Sequence, residues 1–144
     1  MRSRFRFENL QVWQEARELN KEVYRLTRKF PNQEVFCLTS QIRRAAVSVS
    51  SNIAEGSGRN SDKDFAHLLE QSYGSLMEVA SLLYLALDES YISQDDAKGL
   101  LDAQELLAKK IAALNRSLEV SNSKTPFARA TAGKALDPRL STLD

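Results

Sequence analysis

Apolar residues recur along this chain in alternating steps of four and three, the spacing that keeps one face of an α-helix apolar. The first series is Val12, Ala16, Leu19, Val23, Leu26 and Phe30. It predicts a helix over residues 10–29 whose stripe faces a helical partner. Pro31 stops it, because proline lacks an amide donor and disfavours a helical residue before it. A second series, Ile42, Ala46, Val49 and Ile53, predicts a helix over residues 40–55. Thr39 or Ser40 is its expected N-cap, with a short turn over residues 33–38 before it. Phe65, Leu69, Ser72, Leu76, Val79, Leu83 and Ala86 predict a third helix over residues 62–88. Ser61, with Asp64 three residues on, has the form of a capping box at its start. Ala97, Leu100, Gln104, Leu107, Ile111, Leu114 and Leu118 predict a fourth over residues 94–118. Ser93 is its expected N-cap, and Asp95 and Asp96 complement the positive end of its dipole.

No run of alternating β-branched residues competes with this pattern. Four amphipathic helices with short connections predict an all-α fold, an up-down-up-down antiparallel four-helix bundle over residues 1–118. Residues 119–144 carry no sustained period and read as a flexible C-terminal tail.

Charge modifies this picture. The first helix carries eight charges between Leu10 and Lys29, the second only Arg43, Arg44 and Glu55. Between Gln71 and Leu87, Glu78 stands alone. A helix with little charge all round is buried on more than one side. Beside the apolar stripe of the second helix runs another, Gln41, Ala45, Ser48, Asn52 and Glu55, made mostly of small or hydrogen-bonding residues. Together with Gly74 on the third helix, these are candidate residues for helix packing or a subunit interface.

The stretch SVSSNIAEGSGRNS, residues 48–61, offers two glycines for a phosphate loop. A P-loop requires a preceding strand and Lys-Ser/Thr after its last glycine, and here a helix precedes and Arg59-Asn60 follow. The glycines are therefore read as a turn. Gly56 is expected to close the helix in the left-handed conformation, Gly58 to allow the reversal and Ser61 to open the next helix. His67 is the one histidine and Cys37 the one cysteine. No metal-ligand spacing, nucleophile–base pair or Glu-x-x-His motif arises, so no catalytic residue, metal or cofactor is expected. Were the chain an enzyme, Glu55, Arg59 and His67 would be the first place to look. A single cysteine excludes an intrachain disulfide and fits the cytoplasm. No apolar run is long enough for a membrane span.

Net charge is +1, unevenly distributed. Residues 1–60 hold 11 Lys+Arg and 6 Asp+Glu; residues 61–118 hold 5 and 10. Arg17, Lys21, Arg25 and Arg28 share one side of the first helix, and Arg43 and Arg44 add to them. RSRFRF at the N-terminus interleaves Arg2, Arg4 and Arg6 with Phe5 and Phe7. Such clusters suit phosphate contacts. Glu15, Glu18 and Glu22 lie beside them, as they would on an ordinary solvated face.

The strings FENLQVWQEARELNKEVYRLTRKFP, QEVFCLTSQIRRAAVSVSSNIAEGSGR and SDKDFAHLLEQSYGSLMEV resemble the four-helix bundle proteins encoded in intervening sequences of bacterial 23S ribosomal RNA genes. The resemblance covers roughly residues 5–118. It implies a helical bundle that assembles, typically as a ring-like homopentamer, and it implies no catalytic residues. The pattern is also similar to the accessory variability determinant of diversity-generating retroelements, a strongly basic pentamer that binds nucleic acid and a reverse transcriptase. This chain is near neutral, which confines that expectation to Arg17, Lys21, Arg25, Arg28, Arg43 and Arg44. The expected function is a non-enzymatic oligomeric accessory protein binding RNA, DNA or a nucleic-acid enzyme through a basic rim. The alternative is a scaffold for self-assembly alone, in which the basic front of one subunit meets the acidic helices of another.

Overall fold

The computed structural model describes residues 2–123. Its helices are α1 (Gln11–Thr27), α2 (Leu38–Ser57), α3 (Asp62–Asp88) and α4 (Gln94–Ser123). Short 3-10 turns, Arg6–Asn9 and Asn32–Glu34, precede α1 and α2, and no strand occurs among the described residues. Each helix packs on the next in sequence and α4 closes back on α1, with α1–α3 and α2–α4 on the diagonals. This is the bundle that the stripes predict.

The stripes form the core. Ala16, Ile42, Ala46, Val49, Ile53, Leu69, Leu76, Val79 and Ala86 are fully enclosed. Of the predicted stripe positions only Leu114 stays half-buried. Each enclosed Val, Leu or Ile side chain contributes about 1.5–3 kcal/mol relative to exposure. The most extensive helix contact is α2–α3, and small polar residues join it. The Ser72 hydroxyl, fully buried, donates to the Val49 carbonyl at 2.8 Å. The Ser48 and Ser75 hydroxyls meet at 2.8 Å, and Asn52 Nδ2 donates back to the Ser48 carbonyl at 2.9 Å. The low charge of α2 and α3 is thus explained in part within one chain: longer charged side chains would hold the two backbones apart.

The helix ends bring corrections. α2 begins at Leu38 and ends at Ser57, two residues beyond expectation at each end. Neither Thr39 nor Ser40 caps it: Thr39 lies inside the helix, buried, and the Glu34 carboxylate accepts from the Leu38 amide at 3.2 Å instead. α4 continues through Ser123, five residues past the expected end at 118; the rest of the expected tail, residues 124–144, lies outside the described residues. Ser61 and Ser93 do cap α3 and α4, accepting from the amides of Asp64 and Asp96 at 3.1 and 3.0 Å.

Gly56 is not left-handed. No glycine has positive φ among the described residues, and Gly58 follows α2 at φ −91°. Gly56 is needed for space instead. A Cβ there would lie 2.7 Å from the Phe65 ring and 3.2 Å from Leu68 Cβ. The left-handed residue is Ser90, at φ 60°, after α3. Its amide reaches the Leu87 carbonyl at 3.0 Å and the Tyr91 amide reaches Ala86 at 2.9 Å, the paired bonds of a Schellman ending. Tyr91 then packs on Phe30, ring centroids 5.4 Å apart, which ties the α3–α4 connection to the end of α1.

Two stability predictions follow from these turns. Gly56→Ala gains helix propensity of about 1 kcal/mol but forces the Phe65 ring aside, an overpacking cost of about 1–3 kcal/mol. Urea unfolding should show a net loss of about 1 kcal/mol, against little change for Gly58→Ala, whose added Cβ finds its nearest neighbour at 3.5 Å. Ser90→Gly relieves the left-handed strain and should raise stability by about 0.5–1 kcal/mol in the same assay.

Candidate nucleic-acid interface

The exposed side of α1 next to α2 carries the basic cluster. Arg17, Asn20, Lys21, Tyr24 and Arg28 line one shallow depression of about 440 Å³. Their steps of three and four bring them together on the helix surface. The Arg17 guanidinium stands 5.6 Å from the centroid of the Trp13 ring. Lys21 pairs with Glu18 at 2.9 Å, an exposed pair of low worth that a phosphate can displace. Asn20 fixes the border with α2, donating to Ser50 Oγ at 2.9 Å. Its Oδ1 is buried without a partner. Three cations, an amide and a phenol on one concave surface can contact phosphates and stack a base.

The six predicted basic residues do not form one rim. Arg17, Lys21 and Arg28 converge. Arg43 borders them from α2 but is half-buried and structural: its Nε donates to Thr27 Oγ1 at 2.8 Å, and its guanidinium lies 4.6 Å from the Tyr24 ring centroid. Arg25 turns away toward α4, pairing with Glu22 at 2.8 Å and approaching Asp96 at 3.9 Å. Hydrogen bonding by Arg25 holds the Glu22 carboxyl below its ordinary value, and the same contact raises the Arg25 guanidinium. Arg44 lies on the other flank of α2, reaching Ser40 Oγ at 3.1 Å. There it lines a separate depression of about 500 Å³ with Phe36, Gln41, Ser48, Ser75 and Glu78. The basic N-terminus is tied to the bundle too: Arg6 reaches the Ser57 carbonyl at 3.4 Å and lies 5.5 Å from the Phe65 ring centroid.

Tyr24 and Asn20 were legible as site residues only through their spacing from Lys21 and Arg28. Tyr24 follows Val23 of the apolar series directly, yet its side chain stays exposed.

The packing candidates separate likewise. Ala45 is buried within the chain, and Ser48 and Asn52 are spent on α3 and on each other. Gln41 is exposed, its Nε2 3.4 Å from Glu78. Glu55 is exposed and pairs with Arg59. Gly74 is exposed, with nothing within 4 Å of a Cβ placed there. His67 is exposed beside Gln71, Nε2 to Nε2 3.1 Å. Among the described residues no group of three or more metal-binding side chains gathers, and no helix is long and apolar enough to cross a membrane.

The division between Arg43 and Arg44 is testable. Arg43→Ala removes a hydrogen bond and a ring contact, and should cost about 1–2 kcal/mol in chemical unfolding. Arg44→Ala, on the surface, should stay within about 0.5 kcal/mol of the parent.

Comparison with known proteins adds the family. A family model described as 23S rRNA-intervening sequence protein matches residues 8–113. A solved structure of similar fold is that of a protein with unknown function from the S23 ribosomal protein family of Bacteroides thetaiotaomicron. It is 21% identical, with TM-score 0.67, and the match covers 72% of this chain and 97% of that one. At that identity the likeness speaks for the fold alone. No curated protein matches. The family match spans most of the chain, and its residues are those that build α1, α2, α3 and most of α4: this chain belongs to the 23S rRNA-intervening sequence protein family.

Proposed function

We propose that this chain is a non-catalytic, self-assembling helical module of the cytoplasm that binds nucleic acid through the basic depression of α1. The convergence of Arg17, Lys21 and Arg28 around Tyr24 carries this reading. The chain as a whole is near neutral, so long-range attraction is weak and binding rests on this local cluster. The partner is RNA or DNA, alone or with an enzyme such as a reverse transcriptase. A homopentamer is the assembly that the sequence resemblance implies. Repeating a three-cation site around a ring multiplies a weak contact into useful avidity.

A second reading, assembly with no nucleic-acid role, is favoured by one observation: Phe36, on the loop before α2, is 96% exposed. An aromatic residue held so far into water suits a protein contact.

Filter binding of a structured RNA at low salt tests the first reading. Retention should fall steeply with salt, and the triple charge reversal of Arg17, Lys21 and Arg28 to Glu should weaken it more than tenfold. Each lost phosphate contact should flatten the log–log salt slope by about 0.7–0.9. Arg25→Glu should change retention far less, because Arg25 faces α4. Absence of retention at low salt would leave the scaffold reading in place.

A further inference from the structure

A groove of about 1240 Å³ lies between α3 and α4. Along its α3 wall stand Tyr73, Met77, Ala80, Tyr84 and Leu87, in steps of four, three, four and three. This is a second heptad stripe beside the core one, and Tyr73, Met77 and Tyr84 are 39%, 42% and 56% exposed. Such a stripe has the spacing that can seat a further helix. Gln104 on α4 lines both this groove and a smaller depression shared with α1. It is 2% exposed, and neither its Oε1 nor its Nε2 has a partner. The α4 wall carries Asp95, Lys98, Asp102, Glu105, Lys109 and Arg116, so a fitting occupant offers polar atoms as well as apolar ones.

The geometry points to the outward ridge of α2 of a second copy as that occupant, led by Phe36; this rests on the self-assembly part of the functional reading. The ridge is Arg44, Val47, Ser51 and Glu55, all exposed. It is narrow, and Ser51 brings a hydroxyl to its centre. Charge sets its direction. In an up-down-up-down bundle α2 and α4 run the same way, and rotation about an axis parallel to the bundle preserves this between copies. The neighbour's Arg44 then lies toward Asp95 and Asp102 on the groove's α4 wall, and its Glu55 toward Lys109 and Arg116. Arg44 and Glu55 are about 16 Å apart along α2, and Asp102 and Arg116 about 21 Å along α4, at about 1.5 Å per residue. The pairs now made by Lys98 with Asp102, Lys109 with Glu105 and Arg59 with Glu55 are all exposed and exchange at little cost. Phe36 meets the groove at the end where Tyr84 and Leu87 stand. The ridge and the groove occupy different faces, so the contact is head-to-tail and continues from copy to copy.

Cys37, exposed beside Phe36 and the one cysteine of the chain, provides a crosslinking handle. Tyr84→Cys places a second thiol in the groove, on the other side of α3. Native mass spectrometry of the full wild-type chain at tens of micromolar should give an oligomer, and Phe36→Asp should shift it to monomer with the helical circular dichroism intact. Mild oxidation of Tyr84→Cys should give a ladder of trimers and larger species on a non-reducing gel. Tyr84→Cys with Cys37→Ser should give none beyond dimer. A ladder that stops at dimer, or a Phe36→Asp variant that keeps the wild-type mass, overturns this interface and leaves assembly through another surface. A monomeric wild type overturns the interface and the assembly reading together. The RNA-binding depression is measured separately, by the charge reversals on α1.

Discussion

The bundle depends on how closely α2 and α3 approach. At one end of that contact Gly56 leaves room for the Phe65 ring, where a Cβ would come within 2.7 Å of it. Further along, Ser72 donates its buried hydroxyl to the Val49 carbonyl and Ser48 meets Ser75. Gly56, Ser48, Ser72 and Ser75 have little apolar area, so the usual gain of about 25 cal/mol per Å² is small at these positions themselves. The small residues act indirectly: they let Ile42, Ala46, Val49 and Ile53 close completely on Leu69, Leu76, Val79 and Leu83. The buried Ser72 hydroxyl has its acceptor in the Val49 carbonyl, which keeps that point of the seam from costing what an unpaired group would.

Much of the fold was legible because helical period is a strong signal and each core stripe follows it without interruption. The helix ends were less legible, because they depend on neighbours that a local pattern cannot see. Gly56 fits the sequence signature of a left-handed ending, and only the position of Phe65 shows that the glycine serves a close approach. Ser90 occupies the left-handed position where glycine is usual; Tyr91 docking on Phe30 holds it there, a contact between residues far apart in the chain. The start of α2 shows the same limit. Thr39 is a good capping residue by type, but the Glu34 carboxylate reaches the end of the helix first.

The basic residues were visible as charges, but their grouping was not. Arg25 lies between Lys21 and Arg28 in sequence and only slightly round the helix from them. That small rotation is enough to place it opposite Glu22 and Asp96, where its charge is neutralised. Adjacent Arg43 and Arg44 are about 100° apart on α2, so one becomes a tie to α1 and the other looks out beside α3. A count of positive charge over residues 1–60 merges these roles. The surviving cluster is smaller than the count suggests, and it includes Tyr24, which carries no charge.

The polarity of the chain acquires a physical sense from the same geometry. α1 takes basic residues to one outer face, whereas the α4 wall of the α3/α4 groove carries both signs, mostly acids toward Asp95 and bases toward Arg116. Such a mixed row gives little net field at a distance, so it does not steer a polyanion. At close range it is directional, because reversing a docked helix would put like charges together. The two surfaces therefore suit different tasks. The α1 cluster can attract a phosphate backbone without discriminating its sequence, while the α4 wall can select the direction and register of a helix. One small bundle can present both because α1 and α3 lie on a diagonal, which separates the basic depression from the exposed stripe of Tyr73, Met77 and Tyr84.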